Sequence, residues 1–176
     1  MTLQTQVDPM TTVEERLGRL HMAIKLLGAS LDLSTFETRL ELQKKVYLLQ
    51  ESGEDLGYSY GWYIHGPYSP GLTKDLFSLQ DLLQALKEKE LDAEQRPTNR
   101  EAVNKAKKLI QAVESNAEPL RQLELVSSLH FLMEHVYPRP SNATEAIEEL
   151  RASKPDFETE ETKKAFELLR TSGLVQ

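Results

Sequence analysis

Apolar residues recur at helical spacing along most of this chain, and the recurrence gives way once, between residues 58 and 65. Val13, Leu17, Leu20, Ile24 and Leu27 lie on one face of a helix, with Thr12 and Glu15 at capping-box spacing before it and Gly28 behind it, so a helix is predicted over 12–27. Ser34 and Glu37 repeat the capping spacing. Phe36, Leu40, Val46, Tyr47 and Leu49 then form the broad apolar face of a second helix ending near Gly53. From Tyr58 the period drops to two. Tyr58, Tyr60, Trp62 and Ile64 alternate with Ser59, Gly61, Tyr63 and His65, the pattern of a half-buried strand rich in aromatics. Gly66-Pro67 is expected to break this strand. Ser69 followed by Pro70 reads as an N-cap with proline in the first turn, opening a helix through Leu72, Leu76, Leu79, Leu82 and Leu86.

The second half is polar helix and connector. Residues 87–95 either extend the preceding helix or form a solvated link, which Arg96-Pro97 ends. Thr98 and Glu101 cap a helix to about Ser115. Pro119 begins another that carries Leu120, Leu123, Val126, Leu129, Met133 and Val136 and stops at Pro138 to Pro140. Two further helices are predicted over 142–153 and 158–172, the last closed by Gly173. The fold class is therefore mainly α: a single helical domain over 11–176 with a short aromatic β element at 58–65 between helices, preceded by a flexible N-terminus at 1–10.

Composition narrows the setting. A chain of 176 residues with 39% apolar and 28% charged residues is ordinary for a soluble domain, and its apolar runs fall short of the ~20 residues of a membrane span. No basic flank with an apolar stretch opens the chain, and the absence of Cys excludes disulfides and thiolate metal sites, so a cytoplasmic setting is expected. A net charge of −7 works against sequence-independent binding to nucleic acid. The charge is also segregated: residues 141–162 hold seven acidic and two basic side chains, whereas 94–115 hold three acidic and five basic.

Candidate chemistry is sparse. The chain has no nucleophile elbow, Walker loop, dinucleotide glycine motif or cysteine nucleophile. His130 and His135 stand five residues apart on one predicted helix, about 140° out of phase, and are not expected to share a metal; no metal or cofactor is expected. What stands out is residues 47–71, with the only Trp, five of the six Tyr and five of the eight Gly. Trp62, Tyr63, His65, Gly66, Pro67, Tyr68, Ser69 and Pro70 are the candidate partner-binding residues. The same segment could equally be a structural turn whose aromatics fill the core.

The motifs Arg39 to Gln50, Leu56 to Tyr58 and Tyr60 to Pro70 resemble the YwgA-like group of prokaryotic proteins. The resemblance continues through Leu123 to Leu132, Lys154 to Phe157 and Ala165 to Leu174. A more distant similarity is to SocA-like (Panacea) antitoxin domains, carried by Leu42-Gln43-Lys44, Tyr47, Gly66-Pro67 and Pro70. The resemblance implies a small, mainly helical, non-enzymatic protein-binding domain, such as an antitoxin or an accessory subunit of a defence or mobile-element system, with a toxin or defence subunit as partner. The alternative is a nucleic-acid-binding regulator of winged-helix type using Arg39, Lys44, Lys45, Arg100, Lys105, Lys107 and Lys108.

Overall fold

The computed structural model describes residues 9–86 and 99–176. Along them run α1 (Pro9–Leu26), α2 (Phe36–Glu51), β1 (Gly61–Tyr63), β2 (Gly66–Tyr68), α3 (Pro70–Ala85), α4 (Arg100–Glu114), α5 (Pro119–His135), α6 (Ala143–Ser153) and α7 (Thr159–Thr171). The expected mainly helical class with a small β element between helices is what the chain adopts. No described helix is long and apolar enough to cross a membrane. The 87–95 connector lies outside the described residues, as do residues 1–8 of the expected flexible N-terminus.

Helix starts follow local hydrogen-bond chemistry, in places a residue or more away from the expected cap. α1 begins at Pro9, which suits a first helical turn because its missing N–H has no partner there, so residues 9 and 10 are helical and Thr12 lies inside the helix. Thr35, not Ser34, caps α2: its Oγ1 accepts from the Thr38 N–H at 3.2 Å, and the Thr38 hydroxyl accepts from the Thr35 N–H at 3.3 Å. Asn99 caps α4 by accepting from the Ala102 N–H at 3.0 Å. Ser69 and Pro70 open α3 as expected, with the Ser69 hydroxyl accepting from the Leu72 N–H.

The core is organised around α5, which packs against α2, α4, α6, α7 and β2. One continuous apolar cluster draws Leu20, Leu48, Leu72, Ile110, Leu129, Leu150 and Leu169 from the seven described helices in turn. Val13 and Phe36, assigned to apolar faces by periodicity, are exposed because each sits near the start of its helix, beyond the reach of that core. Asp75 ties three elements together from a buried position. Its carboxylate accepts from Arg16 on α1 at 2.6 and 3.0 Å and from the Tyr58 hydroxyl at 3.0 Å.

The β element is a hairpin, shorter at its start and longer at its end than the alternation suggested. Gly61 pairs with Tyr68, Trp62 with Pro67 and Tyr63 with Gly66, so Gly66-Pro67 forms the second strand instead of ending the first. Ile64 and His65 are the two-residue turn. Two three-residue strands cannot hold themselves in water, and the segment is instead held by polar side chains of α2. The Gln43 amide donates to the Ser69 carbonyl at 2.9 Å and accepts from the Ser69 N–H at 3.0 Å. Seven residues along the same helix, Gln50 does the same for Tyr58, at 2.8 and 3.0 Å. Between them Lys44 Nζ donates to the Pro67 carbonyl at 2.7 Å. Trp62 leans on Phe131 (centroids 6.0 Å apart), and Tyr47 meets Tyr60 edge-on at 4.9 Å, which gives the aromatic segment its inner face.

At Gly66 the hairpin packs directly on α5. Its φ is +82°, and a Cβ there would lie 2.1 Å from the Ser128 hydroxyl oxygen and 3.2 Å from Ser128 Cβ. Gly66→Ala is expected to destabilise the protein by about 1–3 kcal/mol through left-handed strain and this clash, whereas Gly18→Ala, inside α1 with open space around it, is expected to be neutral or mildly stabilising. Adding Ser128→Ala should recover only the part of the Gly66→Ala loss due to the hydroxyl, and urea unfolding midpoints of the three variants check this.

Candidate functional site

The start of α2, the hairpin and α3 enclose an apolar cleft with a cavity of about 240 Å³. Its floor is Leu40 and Leu76, with the aliphatic stem of Lys44 behind them. Four large apolar side chains stand around its mouth: Phe36 (49% exposed), Tyr63 (48%), Ile64 (85%) and Phe77 (44%). The lining contains Arg39, Lys44 and His65 and no carboxylate, in a chain whose net charge is −7.

The hairpin tip that carries Ile64 is fixed from below. Lys154, at the end of α6, donates to the Ile64 carbonyl at 2.7 Å and pairs with Glu124 of α5 at 2.6 Å, while its ammonium lies 5.6 Å from the centre of the Trp62 ring. His65 Nδ1 is 2.9 Å from the other Glu124 oxygen, and its ring meets Phe36 edge-on at 5.2 Å. Partial burial works against the Glu124 charge, yet Lys154 and His65 together hold its pKa below the ordinary carboxylate value. Ile64 is thus an exposed side chain on an anchored backbone. A second depression shares Phe36, Leu40, Ile64 and His65 and runs on to Lys154 and Phe157, so the tip borders both hollows.

The structure divides the expected partner-binding residues. Tyr63, His65, Gly66 and Tyr68 line the cleft. Trp62 faces Phe131 and Lys154 instead. Pro67 and Ser69 are buried in the contact with α2, and Pro70 occupies the first turn of α3. Phe36, Leu40, Leu76 and Phe77 complete the cleft; the apolar periodicity contained Phe36, Leu40 and Leu76, but only the return of α3 past the hairpin places them at one opening.

The basic residues of the nucleic-acid alternative do not gather on one face. Lys44 is fully enclosed on the Pro67 carbonyl. Lys45 is 4% exposed and held between Glu41 (2.6 Å) and Glu114; burial opposes its charge, but the two carboxylates keep its pKa above the ordinary value. Neither head group is free to meet a phosphate. Arg39 donates to the Leu33 carbonyl at 2.7 Å and Lys105 to the Gly173 carbonyl at 2.7 Å. Arg100, Lys107 and Lys108 remain on α4, where Lys105 and Lys108 border a shallow groove that also contains Glu101.

His130 and His135 do converge, contrary to the angular argument. Among the described residues, one ligand atom each from Glu51, His130 and His135 lie within 4.8 Å of one another. Helical side chains lean toward the N-terminus of their helix, so the ring of His135, at the last residue of α5, reaches back toward His130 and across to α2. Burial pushes the His130 pKa down to about 3, helped by the neighbouring His135 and opposed by a hydrogen bond to the Leu174 carbonyl. The His130 Nδ1 and the Tyr47 hydroxyl oxygen share a buried hydrogen bond of 2.7 Å.

Comparison with protein-family models, curated proteins and solved structures returns no match.

Lys44 is the strongest electrostatic signature of the site. Desolvation lowers its pKa from 10.5 to about 7, with Glu124 opposing and Lys154 adding to the fall. Between pH 7 and 10.5 the unfolded chain keeps a proton at this position that the folded chain has released, so this residue makes stability rise with pH across that window and contributes its full penalty below it. Wild type should therefore gain on Lys44→Met by a few kcal/mol between pH 7 and 10.5, each tenfold change in proton affinity being worth about 1.4 kcal/mol. Denaturant titrations across this range check it; a constant difference would mean that Lys44 keeps its ordinary proton affinity.

Proposed function

We propose that this protein is a non-enzymatic protein-interaction module, and that the cleft between α2, the hairpin and α3 is its docking site. The observation that carries this reading is the anchored hairpin tip, where Ile64 is 85% exposed while its carbonyl is held by Lys154 at 2.7 Å. Ordering an apolar side chain at the surface without burying it has no return in folding, but it lowers the entropy lost when a partner covers it. Phe36, Tyr63 and Phe77 extend the patch around an opening, the arrangement in which a few apolar and aromatic anchors supply most of an interface's binding energy.

The size of the cavity favours a protein over a cofactor. At about 240 Å³ it is below the ~300–1,000 Å³ usual for small-molecule sites and suits one large side chain inserted by a partner. Arg39 in a lining without a carboxylate suits an apolar anchor with an acidic residue beside it. The resemblance to YwgA-like and SocA-like domains extends the reading to an antitoxin or an accessory subunit of a defence or mobile-element system, with a toxin or defence subunit as the occupant. The cytoplasm is the setting that goes with such a partner.

Affinity capture from a nuclease-treated lysate of the source cells, with wild type and Ile64→Asp in parallel, tests the proposal. A specific protein should be recovered by wild type and reduced at least tenfold by Ile64→Asp, with the melting temperature unchanged because that side chain is 85% exposed. The purified pair should lose little affinity between about 50 and 200 mM salt. Steeply salt-dependent binding to duplex DNA, abolished by Lys105→Glu with Lys108→Glu and indifferent to Ile64→Asp, would instead establish the regulator. A concentration-dependent dimer reversed by Ile64→Asp would assign the cleft to a second copy and overturn the proposal.

A further inference from the structure

Away from the cleft, Glu51 at the end of α2 meets His130 and His135 of α5, with one potential ligand atom from each within 4.8 Å of the others. We propose that these three residues form a binding site for a divalent transition-metal ion of the zinc class, clamping the end of α2 to the end of α5. Two imidazoles and one carboxylate are a donor set suited to zinc, and to iron(II) or nickel(II) where the geometry opens.

Three further observations bear on the ligand. His130 is 2% exposed and its ring is held in place by the Tyr47 hydroxyl, 2.7 Å from Nδ1, the kind of outer-shell contact that orients ligating histidines. Glu51 and His135 already lie 2.9 Å apart, and their side chains are 17% and 40% exposed, so an ion can enter from solvent while its third ligand waits inside. The Tyr60 hydroxyl is buried without a protein partner, and it lies close enough to Glu51 to feel that carboxylate's charge. A buried hydroxyl of this kind calls for a water or an ion's ligand beside it, and an ion held by three protein groups retains at least one position for a water.

The plain alternative is a Glu51–His135 surface ion pair beside a buried histidine. Metal titration separates the two. Protein freed of metal by chelation is titrated with Zn2+ by calorimetry and with Co2+ by visible absorption, whose ligand-field bands report nitrogen and oxygen ligation directly. The site predicts one ion bound at micromolar affinity or tighter, a melting temperature that rises with Zn2+, and at least a tenfold loss of affinity in both Glu51→Gln and His135→Ala. These two positions lie at the rim, so both variants should fold. His21→Ala, in α1, should bind as wild type does. Affinity that is only millimolar, or that survives Glu51→Gln and His135→Ala, would overturn the assignment.

Discussion

The aromatic hairpin exists because α2 supplies hydrogen bonds that the hairpin cannot supply itself. Three-residue strands leave the backbone that flanks them unpaired, and here the flanks at Tyr58 and Ser69 face a helix. Gln43 and Gln50 each offer a primary amide, whose separate N–H and C=O can pair with the C=O and N–H of one residue. Seven residues apart, they sit on one face of α2 and grip the segment at Tyr58 and at Ser69. Lys44 holds the Pro67 carbonyl between them. Removing any of these leaves a buried backbone group without a partner, which costs more than a made hydrogen bond gains.

This arrangement has an electrostatic consequence. An ammonium group taken out of water loses hydration that one carbonyl cannot replace, so Lys44 is held at a pKa of about 7 by its own burial. The fold tolerates it because the stem fills the wall of the cleft while the head closes the hairpin. Glu124 is near enough to favour the charge, but its oxygens are already committed to Lys154 and His65, which pin the hairpin tip. The two lysines therefore serve opposite ends of the hairpin from different helices, and the tip they stabilise is the most exposed apolar feature of the cleft.

Much of the fold was legible because helices announce themselves by periodicity and punctuation. Leu17, Leu20 and Ile24, the Ser69-Pro70 start and the stop at Gly173 all behave as local rules require. What was hidden depended on polar residues in apolar places. A count of hydrophobic positions treats Gln43, Lys44 and Lys45 as the solvated side of α2, yet all three are buried, Gln43 and Lys44 against the hairpin and the start of α3 and Lys45 against Glu114 of α4. The second strand was hidden because glycine followed by proline usually ends a strand; here Gly66 supplies the positive φ that lets the chain turn back and lie against Ser128. Half of the cleft could be read from the aromatic segment. The other half, Phe36 and Phe77, came from residues that periodicity assigned to helices without saying that their exposed turns would face each other.

The cleft and the Glu51, His130, His135 cluster lie at opposite ends of α2. Phe36 begins the helix and Glu51 ends it, a separation of about 22 Å at ~1.5 Å per residue. Between them the helix is buried from Leu42 to Leu49 and tied to the aromatic segment at three points, with no break along it to serve as a hinge. A perturbation confined to the rim of one end has no soft element through which to reach the other. An effect of Ile64 on metal affinity, or of His135 on partner binding, would therefore have to travel through displacement of α2 as a whole or of α5, the two helices that contact the hairpin and also carry residues of the cluster.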